Sequence, residues 1–261
     1  NLAYGIHMHS ETIFTDAQLV IRTGTSTVKA MIAANVFLEE TSFIGSQSAF
    51  IIDNTRFKST GTDVQGTNII TDGGGASALF SGTAVTISSS IELAWEGAQT
   101  NGYMWNMAVG ATILNSNIIV KNMTFNLVAP TLASVIAWTG PTITNGGITF
   151  DECSMEPTGM DESMPITFSS ATISGNVAMN FKKTKVTANN RDGFTSVLRP
   201  VVAPIVFTSS SISGLHITID DNTEMTATSP NQRACFIAVD SGGSPTFALE
   251  NTIIESSASV F

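Results

Sequence analysis

Apolar residues alternate with polar ones in short bursts along nearly the whole chain, and the bursts recur at a long, regular spacing. The recurring unit is a pair of apolar residues one position apart, followed by a charged or small polar step. The pairs are Leu19/Ile21, Phe50/Ile52, Val85/Ile87, Ile118/Val120, Ile148/Phe150, Met179/Phe181, Ile217/Ile219 and Phe247/Leu249, separated by steps of 31, 35, 33, 30, 31, 38 and 30 residues. Five residues further on another apolar residue returns, as Phe57, Phe125, Met155, Val186 and Ile254. Upstream, a hydroxyl–isoleucine step returns as Thr112-Ile113, Thr142-Ile143, Thr172-Ile173 and Ser211-Ile212. Before it stand Ile136/Trp138, Ile166/Phe168 and Ile205/Phe207, continued by Cys235/Ile237. Alternation at period two gives a strand with one face in and one face out. Strands this short, joined by Gly, Asn and Ser turns, bury that face only if each unit covers the last. The pattern therefore predicts an all-β parallel solenoid of about eight coils with three short strands per coil. Repeats of two helices have similar lengths, but they require a 3.6-residue period that these copies lack.

The position after each inward pair holds Arg22, Asp53, Ser88, Lys121, Asp151, Lys182, Asp220 and Glu250. Stacked in register, most neighbours there have opposite charge, and Asn54, Asn122 and Asn251 follow as bend residues. The segment Ile118-Ile119-Val120-Lys121-Asn122-Met123-Thr124-Phe125 carries the pattern in its clearest form. It resembles the right-handed parallel β-helix superfamily, which includes pectate lyases, phage tailspikes and bacterial surface adhesins. The resemblance runs from Leu19 to Phe261 and implies one domain, 1–261, wound right-handed. Residues 1–36 read as an N-terminal cap, within which 26–36 fits either a short helix capped by Ser26 or a strand. The chain opens on Asn1 and stops at Phe261 inside a coil, so either a processed or truncated chain or an end covered by a partner is expected.

Composition narrows the function. Eleven basic and 21 acidic residues give a net charge of −10, only 12% of residues are charged, and no Lys/Arg cluster exists to grip phosphates. Nucleic acid is therefore not an expected partner. Ser and Thr together make up 63 of 261 residues. No apolar run reaches the roughly 18 residues of a membrane span. Two cysteines, Cys153 and Cys235, are too few for a disulfide framework and are expected to be free thiols.

The resemblance also brings enzymes into view. A polygalacturonase would show Asn-Thr-Asp, Asp-Asp, Gly-His-Gly and Arg-Ile-Lys on successive coils, and of these only Asp220-Asp221 is present. A pectate lyase would show Arg-x-Pro-x-x-Arg, which Arg199 to Pro204 does not match. Asp151, Glu152, Asp220 and Asp221 remain as carboxylates for a glycosidase pair, against the plainer reading of turn residues paired with Lys182 and Lys183. His7-Met8-His9 places two imidazoles on one face, but two do not fill a four-ligand shell, and no metal or cofactor is expected. Trp95, Glu96, Tyr103 and Trp105 cluster between the third and fourth copies and are the candidate ligand-binding residues, because aromatic faces stack on sugars. The expected function is a non-catalytic structural or adhesive module, part of a tail fibre, tailspike or surface adhesin. Such a module would be extracellular, on a cell surface or on a virion. Expected partners are like or neighbouring subunits and a surface glycan. A polysaccharide-degrading enzyme and a self-assembling filament or sheath subunit are the alternatives.

Overall fold

The computed structural model describes residues 2–9, 12–72, 79–81, 84–95, 101–107, 111–129, 132–159, 162–190, 201–229, 233–240, 249–250 and 253–256. These residues form an all-β, parallel solenoid with no helix among them. One turn shows the plan: sides at Asn101–Met107, Thr112–Leu114, Asn117–Lys121 and Thr124–Ala129. The turn has four straight sides, one more than the apolar pairs suggest, because the residues around Phe125 also pair with the coils above and below. In the next turn the second and third sides merge into Thr142–Asp151, which bends at Asn145, where the register against its neighbour shifts. In the most regular part five rungs of the third side follow one another, pairing Ile87 with Val120, Phe150, Phe181 and Ile219 in turn. Residues some thirty positions apart thus sit directly over one another.

Each side contributes inward columns. Leu19, Phe50, Val85, Ile118, Ile148, Met179 and Ile217 stand in register beside the column just named. On the first side Val36, Ile69, Trp105, Ile136, Ile166 and Ile205 do the same. The second side stacks Phe43, Phe80, Ile113, Ile143, Ile173 and Ile212. All are fully or nearly fully buried apart from Leu19, at the first rung.

An aromatic ladder threads this core. Phe14, Phe43 and Phe80 stack nearly flat at 4.7 and 5.4 Å between ring centres. The ladder then crosses from the second side to the first, through Trp105 at 6.3 Å and Trp138 at 5.3 Å, both edge-to-face. It continues through Phe168 at 5.5 Å and Phe207 at 5.1 Å. Where the large rings leave the second side, isoleucines take their place, so the tube stays filled at constant width. Trp105 Nε1 donates to Thr71 Oγ1 at 2.8 Å. Trp138 Nε1 is buried with no such acceptor and lies between rings set edge-on to its own, where N–H···π contact is the available substitute.

The corners are made by left-handed backbone. Gly140, Ser170 and Ser209 turn the first side into the second. Asp16, Gly45, Asn115, Asn145, Gly175 and Gly214 turn the second into the third, and Asn122, Glu152 and Lys183 turn the third into the fourth. Glycine is obligatory at Gly214, where φ is +76° and a Cβ would run into the Gly175 carbonyl oxygen. A buried hydroxyl or thiol often follows the corner residue and donates to the carbonyl two positions back. Ser116 does so to Leu114, Thr184 to Lys182, Ser210 to Thr208 and Cys153 to Asp151. The same atoms reach the carbonyls of Phe80, Phe150, Phe168 and Val120 in the preceding turn. This use of small polar residues satisfies backbone groups that a bend takes out of the ladder. It accounts for part of the Ser/Thr content.

Of the two readings of residues 26–36 the strand is the one found, inside Gln18–Glu39, because the adjacent coil Ala49–Asp72 pairs along most of their length. Other expectations change. The last apolar pair is misplaced by one side: Leu249 pairs with Ile212 and Glu250 with Ser213, so Glu250 is not in the corner charge column. Ile254 pairs with Ile217, and Met225 takes the fourth-side position expected of Ile254. Phe247 and Asn251 lie outside the described residues.

The inside–outside assignment is testable by thermal or urea unfolding. Phe168→Ala, which opens the ladder, should cost about 3–5 kcal/mol. Thr149→Ala, on the outward face of the same tube, should stay within about 0.5 kcal/mol of the parent.

Candidate functional site

The corner between the third and fourth sides gathers the carboxylates that the sequence offers as an alternative glycosidase pair. Its backbone is forced into the left-handed region at Glu152 and Lys183, with φ of 53° and 47°. This exposes both side chains, one above the other. Lys183 Nζ meets Glu152 Oε1 at 3.0 Å. One step along the fourth side, Lys185 Nζ meets Glu156 Oε2 at 3.0 Å, and Ser154 donates to Glu156 Oε1 at 2.9 Å. The Lys185 ammonium and the Ser154 hydroxyl hold the Glu156 carboxyl below its ordinary value. Glu152 in turn raises Lys183, and Glu156 raises Lys185.

Asp220 does a different job. Its carboxylate accepts the Lys183 amide at 3.0 and 3.1 Å, the Asn222 amide at 3.2 Å and the Thr223 hydroxyl at 2.6 Å. It replaces the backbone carbonyl that would otherwise close this corner. Partial burial pulls the Asp220 carboxyl upward, but these donors and the Lys183 charge outweigh it and leave it below the ordinary 3.8. Asp221 accepts from Asn222 Nδ2 at 2.9 Å. Asp151 pairs along the strand with Lys121 below and Lys182 above. The arrangement is therefore a ladder of caps and ion pairs at bends. A general acid needs a carboxyl pushed upward, and Asp220 is shifted the other way.

The aromatic stretch divides. Trp95 ends the strand Ala84–Trp95 and pairs with Gly61, and Tyr103 and Trp105 lie in Asn101–Met107, so these residues are on strands, not on a projecting loop. Glu96 lies outside the described residues. Trp105 is fully buried, with Phe80 and Trp138 against it, and has no face free for a sugar. The alternation that makes it look like a partner of Tyr103 is what points it inward. Tyr103 is half-buried, between Thr67 and Ser134 on the neighbouring rungs.

The second side presents an outward face at which the sequence hints. Thr112, Thr142, Thr172 and Ser211 stack in register, and beside them stand Leu114, Thr144 and Ser174. Thr144 Oγ1 and Ser174 Oγ share a hydrogen bond of 3.0 Å. The face repeats at roughly 4.8 Å across strands and about 7 Å along them. In sequence this is the recurring hydroxyl–isoleucine step; in the fold it is one edge of a flat side.

Both cysteines are free. Burial pushes the Cys153 thiol up to about 11, and burial raises Cys235 as well. No helix among the described residues is long and apolar enough to cross a membrane.

No family model matches this chain. No curated protein matches it either. Among solved structures, that of a trypsin-treated variant of QnrB1, a plasmid-mediated fluoroquinolone resistance protein, aligns at 10% identity over 97% of this chain and 91% of that chain. Its TM-score is 0.16, too low for the likeness to bear on fold or function.

Two outcomes follow from this geometry. A carboxylate with a lowered pKa stabilises the fold above its ordinary value, and that stability is lost as pH falls through the lowered one. Asp220→Asn should therefore cost about 1 kcal/mol at neutral pH. It should also flatten the loss of stability below about pH 4, as read from urea midpoints across pH. Cys153 should resist iodoacetamide at neutral pH in the folded protein and react once urea unfolds it.

Proposed function

We propose that the chain is a non-catalytic structural or adhesive module of an extracellular surface or virion, wound as a right-handed helix of eight coils. Seven copies of the apolar pair, with Ile254 set against Ile217 one level further on, support the count. The handedness follows the general preference of parallel crossovers. The observation that carries the functional reading is the state of the corner acids. Asp220 is spent on capping the Lys183, Asn222 and Thr223 bend, and Glu152 is paired with Lys183. Among the described residues the second side presents an outward row of hydroxyls, with Tyr103 half-exposed on an adjacent side. Such a surface suits multivalent, weak contact with a glycan or with a neighbouring rigid subunit. Tyr103 is the aromatic contact in this reading.

The test is an incubation of the tag-free protein with immobilised cell-surface polysaccharides, following both retention and the appearance of new reducing or unsaturated ends. Retention without cleavage is expected, with Tyr103→Ala weakening it by roughly tenfold. Cleavage that disappears in Glu152→Gln or Asp221→Asn would overturn the non-catalytic reading. Absence of retention on every surface would overturn the adhesive one.

A further inference from the structure

The first rung carries a constellation that one strand's sequence does not reveal. His7 and His9 are two apart in the Leu2–Met8 strand and the residue after it, so they share the outward face. The parallel register sets Phe37 beside His7 and Leu38 beside Met8. The next residue on the neighbouring coil, Glu39, therefore comes level with His9. Its carboxylate leans between the two imidazoles: Oε2 is 2.8 Å from His7 Nε2 and 3.8 Å from His9 Nε2. The two rings are 5.3 Å apart. His7 is held flat against Phe37, at 4.8 Å and 12°, and tilted against Tyr4 at 5.2 Å. His9 is three-quarters exposed, with room to turn.

We propose that His7, His9 and Glu39 bind a divalent transition-metal ion of the zinc type, with the fourth position left to water or an incoming ligand. Two imidazoles and one carboxylate are a donor set that suits such an ion. Donors about 2.0–2.1 Å from a tetrahedral ion stand about 3.3–3.4 Å from each other, and the observed 2.8 and 3.8 Å fall on either side of that value. Without metal the three donors engage one another, and as they stand among the described residues no group of three or more His, Cys, Asp or Glu side chains could hold a metal ion. The ion forms its site by displacing the His7–Glu39 hydrogen bond. In neutral His7 the proton of that bond sits on Nε2, so it moves to Nδ1 as Nε2 becomes the ligand; from the protonated ring it is released to solvent. The stack on Phe37 keeps His7 oriented in both states.

The test is zinc titration of the full chain without an oligohistidine tag, by calorimetry and by NMR of the three histidine rings. One ion per chain is expected, with the His7 and His9 ring signals shifting while His216, on the third side, stays in place as an internal control. EDTA should reverse the change, and acidification should weaken binding as protons compete for the same nitrogens. His9→Ala, at an exposed position, and Glu39→Gln should each weaken binding by roughly tenfold or more. The proposal is overturned if zinc does not bind saturably, if His216 shifts together with the other two, or if folded His9→Ala binds as tightly as the parent.

Discussion

Everything in this molecule depends on one register. Parallel strands in successive coils pair residue for residue, and side chains alternate faces with a period of two. A slip of one position would therefore carry an entire rung from the core to solvent. Phe150 sits between Val120 and Phe181 because of that pairing, and so do the opposite charges of Lys121, Asp151 and Lys182. The exposed charges contribute little stability singly. Their value lies in making the slipped alternatives worse, since a shift would bring like charges together or leave the pairs unmatched.

The core and the corners enforce the same register by different means. The aromatic ladder from Phe14 to Phe207 requires each ring to find the next at stacking or edge-to-face distance. At Phe80 and Trp105 it changes sides without a gap. The corners fix where each side ends, because only certain residues accept the left-handed backbone there. Asn and Gly do so at Asn115, Asn145, Gly175 and Gly214. Glu152, Lys183 and Ser170 do so at some cost, offset by hydrogen bonds to the neighbouring coil from their own amides: Glu152 to Lys182, Lys183 to Asp220 and Ser170 to Thr208.

Much of this is legible in the sequence, and the reasons for the gaps are physical. The third-side columns can be read because their two inward residues are large, apolar and one apart in almost every copy. The second side leaves only a faint trace because it is short and shows one inward isoleucine between two hydroxyls, as in Thr142-Ile143-Thr144. The eighth pair misleads because Leu249 and Glu250 mimic the local pattern of a third side while occupying a second. Trp105 looks like a ligand contact because aromatic residues are alike in sequence whether they face a glycan or a neighbouring Phe80. The corner acids are visible, but their use as caps is not, since it depends on Asp220 reaching the Lys183 amide 37 positions away. Glu39 is hidden as a companion of His7 and His9 for the same reason: the meeting is made by the winding.

The most direct test of the winding is a disulfide trap on the outward face of the third side. Thr149 and Asn180 are register partners on adjacent coils, with Asn180 Nδ2 donating to Thr149 Oγ1 at 3.3 Å. Thr218 is the partner of Asn180 one coil further on. Cysteines at 149 and 180, in a Cys235→Ser background, should close a disulfide under mild oxidation, because adjacent parallel strands lie within bridging distance. Cysteines at 149 and 218 should remain reduced, two rungs apart. Failure of the first pair to close, or closure of both to the same extent, would contradict the in-register stack.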